Sequence, residues 1–214
     1  MMFDVSKPIN SIRDYHPFVG SLSVKDIVVQ SSNIGAAKIA HKIGKKKQIE
    51  FFRKMGFFEK INIQIKEAAQ PLGNKNNWGE LETMTIGFGH GFAVTPLHIA
   101  TAYASILNEG RRVIPTILLG ANNISSEALV KKETSEYILE LLRAVVTETK
   151  YTGPRVRIEG YEIGGKTGPA ELINNLGQYQ KDANLTSFIG IFPISKPQYL
   201  VLTIVENPKK IKEE

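Results

Sequence analysis

Apolar side chains recur at near-helical spacing from Val24 onward, at Ile27, Val28, Ile34, Ala37 and Ile39, with a polar triplet interrupting them at Ser31–Asn33. That pattern predicts two short helices meeting at Ser31, the second stopped by Gly44. Lys45 to Met55 adds another amphipathic set through Ile49, Phe52 and Met55. Residues 62–82 carry Pro71, Gly73, Asn74, Asn76 and Asn77, the composition of a loop. Thr95 before Pro96 predicts a helix start, since threonine caps and proline fits the first turn. Leu97, Ala100, Thr101, Ala104 and Leu107 are then expected to form its buried face, up to Gly110. Thr134 is expected to cap a further helix that turns Tyr137, Ile138, Leu141, Leu142 and Val145 inward.

The last third changes period. Glu162–Lys166, Thr186–Phe192 and Tyr199–Glu206 are short runs rich in β-branched residues and separated by turn formers, which predicts antiparallel strands. Helices followed by an antiparallel sheet make an α+β domain. Residues 1–22, broken by Pro8 and Pro17, read as a loose N-terminal arm; 23–208 form the domain, and 209–214 a charged tail.

Composition narrows the class only a little. A chain of 214 residues with 42% apolar and 22% charged residues is an ordinary globular domain. No apolar run is long enough to cross a bilayer, and MMFDVSKPIN has neither a basic start nor an apolar core, so no signal peptide is expected. With no cysteine, disulfide and thiolate chemistry are excluded. The net charge of +6 invites a nucleic-acid reading, but the lysines are scattered, apart from Lys45–Lys47 and the tail, and no basic run is interleaved with aromatics. A solvated basic surface is the expectation, with no nucleic-acid partner.

The chemistry sits in two triplets. Ser31-Ser32-Asn33 precedes IGAAKIAHKIG, and Lys166-Thr167-Gly168 closes YEIGG, 133 positions beyond Asn33 (166 minus 33). Each triplet alone is common, and Ser31 and Asn33 also suit capping of a helix that starts near Gly35. Their order, together with TMTIGFGHGFAVTPLHIATAYASILNEG between them and TSFIGIFPISKPQYLVLTIVENP after them, resembles class B penicillin-binding proteins of the division type, from about Ser23 to Pro208.

That resemblance implies a penicillin-binding protein transpeptidase or serine β-lactamase-like fold, truncated on its N-terminal side, with the sheet's first two strands missing and Tyr199–Glu206 left as an open edge. It implies peptidoglycan D,D-transpeptidase ancestry, with a peptidoglycan stem peptide or a β-lactam as ligand and no metal or organic cofactor. It casts Ser31 as proton shuttle, Asn33 as hydrogen-bond partner of the substrate's backbone amide, and Lys166 as the positive field for a carboxylate. Thr167, Gly168 and the residue at 169 are cast as substrate-binding. The family's third motif, S-x-x-K, which supplies the nucleophile, occurs nowhere in these 214 residues. Pro169 stands where the family usually has threonine or serine, whose N–H is half of the oxyanion hole; proline has no N–H to give. The expectation is therefore a chain that cannot acylate alone, is completed by another chain bearing S-x-x-K, or survives as a non-catalytic peptide binder. The family works at the outer face of the inner membrane; without leader or anchor, this chain is expected to be cytoplasmic if made alone.

Other candidates are discounted. Gly87-Phe88-Gly89-His90-Gly91 lacks the dinucleotide-loop spacing and reads as a tight bend against the core. His16, His41, His90 and His98 show no metal-ligand spacing. Thr147–Lys150 copies T-x-x-K, but it follows S-x-N and ends a helix.

Overall fold

A computed structural model describes residues 1–72, 78–121, 123–150, 153–173 and 179–209. Within them the chain is α+β. Strand β1 (Met2–Asp4) pairs antiparallel with β2 (Ser21–Ser23), and helices α1 (Val24–Gln30), α2 (Asn33–Ile43), α3 (Lys45–Lys54), α4 (Glu80–Ile86) and α5 (Pro96–Leu107) follow. A small hairpin, β3 (Arg111–Val113) with β4 (Ile124–Ala128), leads to the long helix α6 (Lys132–Glu148). The chain then forms one antiparallel sheet, β5 (Gly164–Ile173), β6 (Tyr179–Phe192) and β7 (Tyr199–Glu206), in that order.

Residues 1–22 are not a loose arm. Besides the β1–β2 pairing, Val5 and Ile12 are buried and share a core cluster with Ile34, Ala37 and Met84. The two prolines break regular structure, but enough apolar side chains remain around them to dock the segment on α2 and α4. Of the 209–214 tail, all but Lys209 lies outside the described residues, as do Gly73, Asn74, Asn76 and Asn77 of the expected loop.

The two-helix reading around Ser31 holds. Ser23 and Asp26 form a reciprocal capping box at the start of α1, and α2 stops at Gly44, whose φ of 80° suits glycine. Two glycines let helices approach closely. A Cβ on Gly35 would lie 2.5 Å from the Ile27 side chain of α1, and one on Gly87 would lie 2.6 Å from Ala40 Cβ of α2. The second contact makes the glycine-rich GFGHG segment a bend pressed against the core, as its spacing suggests.

Two helical faces turn differently from expectation. Thr95 does cap α5, but the fully buried residues are His98, Ala102, Ser105 and Leu107. Polar groups go inside because each finds a partner. Ser105 Oγ donates to Thr101 O and accepts from Val113 N, and the His98 ring bridges Thr95 Oγ1 and Glu59 O. In α6 the cap position is Lys131 and Thr134 already lies in the first turn; Leu141, Leu142 and Val145 are buried, whereas Tyr137 is exposed. A hydroxyl-bearing ring tolerates solvent, so the helical period alone overstates its burial.

Strands β5 and β6 run further than the β-branched runs suggest. Pairing is continuous from Gly164↔Ile191 to Glu171↔Asn184, with Pro169 opposite Thr186, and shifts register only between Glu171 and Ile173. One face of the sheet packs on α5 and α6 through Ile189, Ile191, Leu107 and Leu142. On β7, Tyr199, Val201 and Val205 remain exposed, and among the described residues β7 pairs only with β6.

Candidate active site

Ser31 ends α1 in a left-handed conformation (φ 58°, ψ 46°), its N–H turned back to Val28 O. Left-handed backbone is costly for a residue with a Cβ and is retained where surrounding contacts determine it. Here Ser32 N also bonds Ile27 O, and α2 begins immediately beyond. The turn thrusts the Ser31 hydroxyl outward toward β5. There the Lys166 ammonium donates to Ser31 Oγ at 2.8 Å and to the carbonyl of Thr167 at 3.1 Å. Two motifs 135 positions apart in sequence therefore meet in one hydrogen bond.

Lys166 is the electrostatic centre. Strand β5 lies against α6, which in turn packs on α1, and burial between these elements pushes the Lys166 ammonium down from 10.5 to about 8. No carboxylate forms an ion pair with it among the described residues. Two of its three N–H donors are used, both by neutral oxygens. A partly desolvated cation whose partners carry no charge is complementary to an anionic ligand group.

The remaining predicted residues divide. Gly168 lies on β5, and its carbonyl accepts from Ser187 Oγ at 2.9 Å, which ties the K-T-G strand to β6. Thr167 and Pro169 alternate with Lys166 along the strand and so lie on the opposite pleat face; Thr167 reaches the ammonium by its carbonyl alone. Because the ladder to β6 continues past Pro169, the ring nitrogen faces away from β6, toward the edge where β5 has no partner among the described residues. Asn33 is not turned to Lys166. Its Nδ2 donates to Arg13 O at 3.1 Å. The cap of α2 is Ser32, not Ser31 or Asn33: Ser32 Oγ accepts from Gly35 N at 2.9 Å.

Sequence reading missed Asp14 and Ser187, both single polar residues outside any motif; only their proximity to the triplets in the folded chain marks them. Thr147 is accounted for by α6, its hydroxyl donating to Arg143 O. A groove of about 510 Å³ runs along α6 past Tyr137, Glu140 and Ile194, but it includes neither Ser31 nor Lys166. The contact between the Ser31 turn and β5 is the candidate site.

Comparison with known proteins bears on the family and the fold. Residues 3–214 match the penicillin binding protein transpeptidase domain. The chain is 29% identical over 219 residues to the Probable peptidoglycan D,D-transpeptidase FtsI of Caulobacter vibrioides, covering 97% of this chain and 37% of that protein. It is 30% identical over 197 residues to Stage V sporulation protein D of Bacillus subtilis, covering 86% and 30% respectively. The chain thus spans about a third of these relatives' length. Among solved structures, the apo transpeptidase domain of penicillin-binding protein 3 from Burkholderia pseudomallei superposes with a TM-score of 0.87 at 26% identity, over 97% of this chain and 64% of that one. Penicillin-binding protein 3 of Mycobacterium tuberculosis, complexed with aztreonam, shares the fold with a TM-score of 0.85 at 23% identity, over 97% and 51%.

Proposed function

As the chain belongs to the penicillin-binding protein transpeptidase family, we propose that it is the C-terminal part of a class B transpeptidase domain, holding the carboxylate-binding and proton-relay half of a site for peptidoglycan stem peptides. The observation that carries this reading is the 2.8 Å bond from Lys166 Nζ to Ser31 Oγ, made by a half-buried ammonium with no carboxylate paired to it among the described residues. In the family's reaction, a serine oxygen bonds to the carbonyl carbon of the stem peptide or β-lactam, and the departing amine must receive a proton. Ser31, hydrogen-bonded to the ammonium, has the donor and acceptor capacity for that delivery. Lys166 supplies the positive field that holds the ligand's carboxylate. Asn33 can meet the substrate amide with its oxygen and its second Nδ2 hydrogen while the first remains on Arg13 O.

The attacking serine is not within these 214 residues, since no serine is followed three positions later by lysine. The chain alone is therefore inactive in acylation. A labelled penicillin should leave no covalent adduct, and a stoichiometric adduct on the isolated chain overturns the reading. Binding remains: a D-Ala-D-Ala peptide should bind reversibly and lose affinity in Lys166→Met. Equal affinity of wild type and variant would remove the site from consideration.

A second reading, a split enzyme, is favoured by the exposed Val201 and Val205 and by the side of β7 that has no partner among the described residues. A chain bearing S-x-x-K and the sheet's first strands would add to that edge. Its addition should restore penicillin labelling, slowly, because Pro169 offers no oxyanion donor. Absence of labelling with such a chain leaves the non-catalytic, peptide-binding role. Work at the outer face of the inner membrane belongs to this proposal; among the described residues, no helix is long and apolar enough to cross a membrane.

A further inference from the structure

The N-terminal segment reaches the site through one side chain. Asp14 Oδ2 accepts from Ser32 Oγ at 2.9 Å, and its Oδ1 accepts from Ile34 N at 3.0 Å. The preceding carbonyl, Arg13 O, accepts from Asn33 Nδ2. Residues 13 and 14 thereby hold each of the three positions that follow Ser31. We propose that Asp14 is a positioning residue of the site: its carboxylate pins Ser32 and the first turn of α2, and thereby keeps the Ser31 hydroxyl aimed at Lys166.

Three features support this assignment. Ser32 is almost fully buried (2% exposed) and its oxygen is shared, donating to Asp14 and accepting from Gly35 N. Losing Asp14 leaves a buried hydroxyl donor and a helix N–H without partners, which the turn can satisfy only by moving. Second, Ser31 holds a left-handed conformation and, among the described residues, its side chain bonds only to Lys166, so its aim depends on what fixes Ser32 beyond it. Third, the Asp14 charge faces the positive end of the eleven-residue helix α2. Asp14 thus orders the turn while Lys166 remains without an anionic partner.

This inference rests on the reading that Ser31 and Lys166 form the site, but its test needs no substrate, so the two can fail separately. The titration of Lys166 is read in the whole chain by competitive acetylation across pH with mass spectrometry of the Lys166 peptide. In wild type the expected midpoint is about 8. In Asp14→Ala the loosened turn admits water to the ammonium and the midpoint rises; a rise of one pH unit would cut the reactive neutral fraction at pH 8 from about a half to about a tenth. Asp14→Asn keeps one acceptor for Ile34 N, and should shift the midpoint less. Asp26→Ala, which removes the capping box of α1 without touching residues 32–34, should leave it in place. An unmoved midpoint in Asp14→Ala, or an equal shift in Asp26→Ala, overturns the assignment. An Asp14→Asn chain that does not fold would make Asp14 a folding residue and overturn it as well.

Discussion

Replacing Lys166 by methionine should make the protein more stable while abolishing ligand binding. The ammonium falls from 10.5 to about 8 because burial disfavours its charged form. At 1.36 kcal/mol per pH unit, that displacement corresponds to a ceiling of about 3 kcal/mol held against the folded state at neutral pH. Methionine matches the length of the lysine stem and buries without charge. Ser31 is exposed and can exchange its lost donor for water, so little of the gain is returned. Because the folded value lies below that of the unfolded chain, the unfolded chain holds more protons between about pH 8 and 10.5. Wild-type stability should therefore rise with pH across that window. The advantage of Lys166→Met should be full below pH 8 and vanish near pH 10.5. Urea titrations of both proteins from pH 6 to 10.5 measure this, and thermal scans at pH 7 should show a midpoint raised by roughly 6–12 °C at most. A variant no more stable at pH 7, or a gain that persists unchanged at pH 10.5, would refute the view of Lys166 as a partly desolvated cation kept for an anionic ligand.

Other expectations concern the scaffold and the completed site. Ser105→Ala strips a partner from the Val113 N–H and should cost about 1–3 kcal/mol in chemical denaturation. Gly87→Ala would place a methyl 2.6 Å from Ala40 Cβ and 3.1 Å from Ala36 O, and should cost roughly 1–3 kcal/mol by the same measurement. Once an S-x-x-K chain completes the site, Pro169→Thr restores an N–H on the open edge of β5 and should raise acylation by about 100- to 1000-fold. Rates of labelled-penicillin incorporation would show it, and no gain would remove the oxyanion-hole argument.

Much of the fold was legible because its signals are local. The Thr95-Pro96 cap, Gly44 and the strand at Tyr199–Glu206 each depend on a few neighbouring residues. What was not legible depends on partners distant in sequence. His98 and Ser105 look like surface residues of α5 until Glu59 and Val113 are placed beside them. Residues 1–22 read as a loose arm by their prolines, yet Val5 and Ile12 find Met84 and Ala37. The site shows the same division. The two triplets were visible as text, whereas the orientation of Asn33 and the role of Asp14 arise only when the segment around residue 13 folds back across α2.

Pro169 also fixes which backbone groups the free side of β5 can present. Adjacent residues along a strand direct their amides to opposite sides, so with the Pro169 nitrogen outward, Thr167 and Pro169 share the free side while Gly168 points to β6, where Ser187 meets its carbonyl. Thr167 contributes a donor and an acceptor there; Pro169 contributes an acceptor alone. An extended peptide laid along these two positions would find two oxygens for its own N–H groups, one of them already holding the Lys166 ammonium, and a single N–H in return, so such a margin would favour ligands by the donors they bring.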